Sequence, residues 1–377
     1  MTVYAHINTV PHGSTGGIMM KEHRDLLEAG EESYAFWGRG RGPENDHEMK
    51  ISTDCEVALD VAMTRIDGRS GFHSKNATIR LLRKLSEIKP DVVHLHNLHG
   101  YYINIELLFG WLSKQSCLIE WTLHDCWSFT GHCTHFQIAA CDQWKSACAA
   151  ECNCPQLKEY PMTYARSGSC KWCYMKKRHL ISSIPKGRLR LIVPSRWMAE
   201  LIPFSYLSDC QVEVRHNTID GEIFKRRDSD FRSQFNVGNK YLILGVASPW
   251  TVKKGIDDFY ALSKKLDSTR FAIVMVGLNE SQLRSLPRGI IGLPRVSSAQ
   301  DLACIYSAAD VLFNPTLEDT YPTVNLESQS CGTPVITYNS GGCAETLSND
   351  KSRVVANLEE AIEIFEKRAF NEGKLFF

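Results

Sequence analysis

The sequence has no surplus of either charge: Lys and Arg total 43, and Asp and Glu total 43. Such a chain has no long-range field to draw it onto nucleic acid or an anionic membrane, so any basic surface is local. No apolar run approaches the ~20 residues a membrane span requires. The N-terminal stretch MTVYAHINTV has no basic start followed by a long apolar core, and no cleavage-like site. A soluble, cytosolic chain is expected. Low-complexity tracts and internal repeats are also missing.

What is present is an α/β pattern long enough, at 377 residues, for two domains with separate cores. Val3 to Asn8 reads as a buried strand, Pro11 to Gly17 as a glycine-rich loop, and Ile18 to Ala29 as a helix. Strand, glycine loop and helix is how a backbone approaches a phosphate, although the spacing is not a Walker loop and also fits a plain tight turn. A helix over 79–88, the turn Lys89-Pro90-Asp91 and a strand over 92–97 repeat the unit. That strand puts His94 and His96 on one face near its carboxyl end, where open α/β sheets bind ligands and where structural histidines also occur. The strand 118–123 ends at His124-Asp125, a histidine followed by an acid able to orient its ring.

The pattern then breaks into an aromatic, cysteine-rich stretch. Of 14 cysteines, nine fall between Cys117 and Cys173. In a reducing compartment such a cluster holds a metal or stays as free thiols. A long insertion with little regular structure needs something to hold it, and zinc bound by four thiolates is one answer, although the spacings are not those of a paired CxxC ribbon. Polar residues over 221–240 read as a linker, and a second run of βα units begins at Tyr241.

The stretch Asp319 to Gly342, DTYPTVNLESQSCGTPVITYNSGG, is the most informative. Asp319 precedes Glu327 by eight positions, and the small polar residues between them open a helix whose N–H groups can hold an anion. The same residues also fit an ordinary helix start, with Asp319 as cap and Glu327 solvated.

At Lys253-Lys254-Gly255, Asp310, Pro315, Asp319-x7-Glu327 and Cys331-Gly332-Thr333-Pro334-Val335, the sequence resembles the retaining GT-B glycosyltransferases of family 4. It is most similar to the bacterial enzymes of exopolysaccharide, O-antigen and colanic-acid synthesis. The resemblance implies an α/β fold of two Rossmann-like lobes facing a cleft. The lobes would be an acceptor-side domain over 1–220 with a Cys-rich insertion at about 126–175, a linker over 221–240, a nucleotide-sugar domain over 241–355 and a terminal helix over 356–377. It implies catalytic contacts at His124, Lys254 and Asp319, and donor binding by Gly16, Gly17, Lys253, Glu318, Thr323, Val324 and Glu327. Glu327 would hold the ribose hydroxyls. Asp319 stands where the family has a glutamate, one methylene longer, with Glu318 alongside to share the sugar contact. Lys253 and Lys254 would neutralise a departing diphosphate, the usual preceding arginine being replaced by Pro249 and Trp250.

The implied substrates are a UDP- or GDP-sugar and a lipid-linked saccharide acceptor, with no cofactor for catalysis and with peripheral contact at the inner membrane face. The Cys-rich segment also looks like one found in a subset of these enzymes. Cys133, Cys141, Cys148 and Cys154 are its first choice for a structural zinc, and Cys152, Cys170 and Cys173 the reserves. The rival readings are a nucleotide-sugar epimerase, a phosphorylase of similar build, and a zinc-stabilised binding module. The balanced charge argues against nucleic acid as a partner.

Overall fold

The structure, a computed structural model, describes residues 1–148, 154–165 and 168–371. The chain divides into two compact units, Met1–His216 and Asn217–Phe377.

The first unit is built on seven parallel strands in chain order: β1 (Val3–Asn8), β2 (Glu32–Trp37), β3 (Glu48–Lys50), β4 (Val92–Leu95), β5 (Leu118–Thr122), β6 (Leu189–Val193) and β7 (Gln211–Val214). They lie side by side as β3-β2-β1-β4-β5-β6-β7. Parallel strands need crossovers, and the helices that supply them cover the faces. Helix Lys75–Ile88, for example, turns Ala77, Leu81 and Leu85 into the core at helical spacing. Helix Asp54–Asp67 is started by a capping box of Thr53 and Glu56 and stopped by Gly68 in the left-handed region.

The second unit has six parallel strands: β8 (Tyr241–Val246), β9 (Phe271–Val276), β10 (Ile290–Leu293), β11 (Val311–Asn314), β12 (Val335–Tyr338) and β13 (Arg353–Val355). Their spatial order is β10-β9-β8-β11-β12-β13. In each sheet the order reverses once, between β1 and β4 and between β8 and β11. The loops leaving the carboxyl ends there diverge to opposite sides, and the crevice they leave is where such sheets take ligands.

Two expectations change. Residues 221–240 are not a free linker: Phe231 and Val237 are buried in the second unit's core. Arg232, on the short helix Phe231–Gln234, is 2.6 Å from Asp310, whose carboxylate also accepts from Leu242 N–H. Polarity there reflects a surface segment anchored at three points. The last helix, Leu358–Asn371, places Leu358, Ala361, Phe365 and Ala369 in the core of the second unit. Among the described residues, no helix is long and apolar enough to cross a membrane.

Candidate active site

The second unit's switch point is built by two loops. After β8, the chain makes a single turn of helix at Val252–Lys254 and reverses at Gly255, φ 74°. Glycine is required there, because a Cβ would lie 2.5 Å from the Pro315 ring and 2.6 Å from its carbonyl. The loop after β11 is thereby pressed against the loop after β8. Leu317 N–H donates to Lys253 C=O at 2.8 Å, and the Thr316 hydroxyl donates to the same oxygen at 3.3 Å.

This packing brings the predicted lysines and acids together in pairs. Lys253 Nζ is 3.0 Å from Glu318 Oε2, and Lys254 Nζ is 2.6 Å from Asp319 Oδ2. Glu318 is buried, which a carboxylate accepts only when paired. Asp319 is held further by Tyr321 N–H at 3.2 Å on its other oxygen. Its carbonyl accepts from Gly342 N–H at 3.1 Å, next to Gly341, where a Cβ would meet that oxygen at 1.7 Å. Burial pushes the Lys254 ammonium pKa down, but the Asp319 charge and hydrogen bond outweigh it, so the net shift is upward and the lysine stays charged.

Beyond Asp319, Pro322 caps helix Thr323–Ser330, and its fixed φ suits that position. Thr323 and Val324 therefore sit in the first turn, where N–H groups lack the usual partner four residues back. One turn on, Glu327 Oε2 accepts from Tyr306 O–H at 2.9 Å. Burial raises the Glu327 carboxyl above its ordinary range, and hydrogen bonds from Tyr306 and Thr323 offset part of that. Buried Asn325 fixes the helix from behind: it accepts from Asn314 at 2.9 Å and donates to Thr346 at 2.8 Å. Tyr306 escaped the sequence reading, since nothing local marks a tyrosine 21 residues from its acid.

In the first unit the placements differ from expectation. Helix Gly13–Glu28 begins before Gly16 and Gly17, so both are helical residues and not loop residues. Gly16 is needed for packing, since a Cβ would sit 2.6 Å from Val10 O and Pro11 C; at Gly17 a Cβ would meet nothing. His124 is buried, with Nε2 3.0 Å from His96 Nδ1. Burial pushes its pKa down to about 4, so the ring is neutral. The Asp125 carboxylate takes His99 Nε2 at 2.6 Å and Trp127 N–H at 2.8 Å.

Among the described residues, Cys133, Cys141, Cys148 and Cys154 do not form a group whose sulfurs all lie within 4.8 Å. Cys148 Sγ instead accepts from Gly131 N–H at 3.2 Å, and Cys154 is hydrogen-bonded with Cys170. Burial raises the Cys133 thiol, and Cys173 is raised to about 12 for the same reason. Cys152 lies outside the described residues.

Two Rossmann-like parallel units, the second with paired lysines and acids at its switch point, have the GT-B fold. Residues 240–368 match the family model of the glycosyl transferases group 1, so the second unit is a glycosyl transferase group 1 domain. Over 372 residues, the chain is 23% identical to the protein assigned to colanic acid biosynthesis as glycosyl transferase WcaC of Escherichia coli K12, covering 94% of this chain and 87% of that one. It is 23% identical over 36% of its length to 37% of a Campylobacter jejuni N,N'-diacetylbacillosaminyl-diphospho-undecaprenol alpha-1,3-N-acetylgalactosaminyltransferase. Among solved structures, sucrose-phosphate synthase from Thermosynechococcus elongatus superposes with TM-score 0.69 at 13% identity, covering 99% of this chain and 91% of that one. Anabaena HepE in complex with UDP-glucose gives 0.63 at 12%, with the same coverage. WaaG, a glycosyltransferase involved in lipopolysaccharide biosynthesis, gives 0.66 at 14%, covering 99% and 92%.

Proposed function

We propose that this chain transfers a hexose from a UDP- or GDP-sugar to a lipid-linked saccharide, with retention of anomeric configuration, in the synthesis of a cell-surface polysaccharide. The observation that carries the reading is the double ion pair Lys253–Glu318 and Lys254–Asp319 at the switch point, just ahead of the helix start at Thr323. Two ammonium groups and first-turn amides suit a diphosphate that gains negative charge as it leaves. Glu327 then takes the ribose hydroxyls, and Asp319 with Glu318 the sugar. The relatives named for colanic acid synthesis and for an undecaprenol diphosphate substrate support the acceptor class, and the HepE complex supports the donor class.

In this mechanism the acceptor hydroxyl attacks the anomeric carbon on the face the diphosphate leaves. The new C–O bond forms as the old one breaks, and the hydroxyl proton passes to the departing phosphate oxygen. Lys254 and Lys253 hold that oxygen's charge. The enzyme works in the cytoplasm, in peripheral contact with the membrane that carries its acceptor.

The test is a donor panel assayed on a lipid-linked saccharide, with the product anomer read by NMR. An axial donor sugar should give an axial linkage. An inverted product, or turnover of the donor without any acceptor, overturns the reading and points to an inverting enzyme or an epimerase.

A further inference from the structure

A second cluster lies inside the first unit. In the parallel register His6 of β1 is the partner of His94 of β4, so both rings stand on one face of the sheet, and His96 follows on the same face. Helix Gly13–Glu28 covers that face and directs Glu22 at all three. Glu22 Oε2 lies 3.3 Å from His94 Nδ1, 3.6 Å from His96 Nε2 and 3.9 Å from His6 Nδ1. One ligand atom from each of the four residues lies within 4.8 Å of all the others.

None of the three contacts is a hydrogen bond, since Glu22 Oε2 has no hydrogen-bond partner. They begin at the ~3.3 Å that separates ligands bound at 2.0–2.1 Å to a tetrahedral ion and run up to 3.9 Å. The polar atoms are correspondingly unsatisfied: His6 Nδ1 and Nε2, His96 Nε2 and Glu22 Oε2 are buried with no hydrogen-bond partner. His6 and His96 are 1% and 0% exposed. The outer nitrogens are engaged as those of metal-bound histidines usually are. His94 Nε2 meets Thr122 Oγ1 at 2.7 Å, and His96 Nδ1 meets His124 Nε2 at 3.0 Å, which turns the remaining nitrogens toward Glu22.

We propose that His6, Glu22, His94 and His96 form a binding site for a divalent transition-type cation, zinc being the best fit to three imidazoles and one carboxylate. The ion pins the first helix to the sheet across β1 and β4. Through His96 it also fixes the ring of His124.

The test uses the full chain, purified in reducing buffer, stripped with a chelator and titrated with zinc chloride. One equivalent should bind and raise the melting temperature. Glu22→Gln, a near-isosteric change at a residue 28% exposed, should weaken zinc binding on the order of tenfold or more, and His94→Gln should abolish it. A Cys133→Ser/Cys148→Ser variant should keep that equivalent. Cobalt(II) in place of zinc should show ligand-field absorption without a sulfur-to-cobalt charge-transfer band. Zinc binding that is unchanged in Glu22→Gln, that disappears only in the cysteine variant, or that leaves the melting temperature unmoved overturns the proposal.

Discussion

Lys254 Nζ sits 2.6 Å from Asp319 Oδ2, a contact that spans 65 positions of chain and joins the two loops of the switch point. Both the charge and the reach of the acid are set by this pair. Lys254→Ala should lower kcat for transfer by about 10²-fold or more, the typical loss when one donor to a developing oxyanion is removed. Asp319→Asn should cost less in kcat but release the lysine, and the two changes together should be less than additive because the residues touch. The check is kcat and KM for all three variants. Full additivity would show that the pair does not act as one.

Asp319→Glu tests the shortened acid. The added methylene restores the length usual in the family, but the aspartate is already fitted to Lys254 and Tyr321 N–H. The expected result is a several-fold rise in donor KM with kcat little changed. Improved turnover would mean that Glu318 does not share the sugar contact.

Gly16 and Gly17 separate packing from ligand approach. Gly16→Ala must push its methyl into Val10 O and Pro11 C at 2.6 Å, both backbone atoms, so it should destabilise the first unit by about 1–3 kcal/mol in urea unfolding. Gly17→Ala meets nothing within 4 Å and replaces a helical glycine, so stability should hold or rise by up to ~1 kcal/mol. If Gly17→Ala nonetheless raises donor KM, its role is close approach to the phosphates.

The sequence made the βα repeat legible because buried parallel strands are continuous apolar runs, as at Tyr241 to Val246. The switch-point loops were legible because Gly255 and the Asp319 stretch carry local turn and helix-start chemistry. What stayed hidden depends on contacts distant in the chain. His6 lies 88 residues before His94, and only the strand order β1-β4 makes them neighbours. The start of the first helix was misplaced because glycines at Gly13, Gly16 and Gly17 read locally as loop, while packing against Val10 and Pro11 needs one of them inside the helix. Strand β3 is not legible because it is three residues long with a charge at each end.

The histidine cluster predicts how stability depends on pH. Burial lowers His6 to about 3 and His124 to about 4, and lowers His94 and His96 well below the ordinary histidine value. Between the unfolded value near 6.5 and these folded values, the unfolded chain binds protons that the folded chain refuses. The stability these groups contribute is therefore present above about 6.5 and lost as pH falls toward 4. Glu22 has the opposite sign: its folded value is raised to about 7, so its contribution is present below about 4.5 and lost as pH rises through 7. Four histidines outweigh one glutamate, so the unfolding free energy of chelator-treated protein should fall on acidification from pH 6.5 to 4, by an amount on the order of several kcal/mol, and its melting temperature should fall with it. Glu22→Gln removes the opposing contribution. Its melting temperature relative to wild type should therefore improve as pH rises from 4.5 to 7. A pH-independent difference between the two proteins would mean that Glu22 titrates as an ordinary exposed acid and does not sit against the three rings.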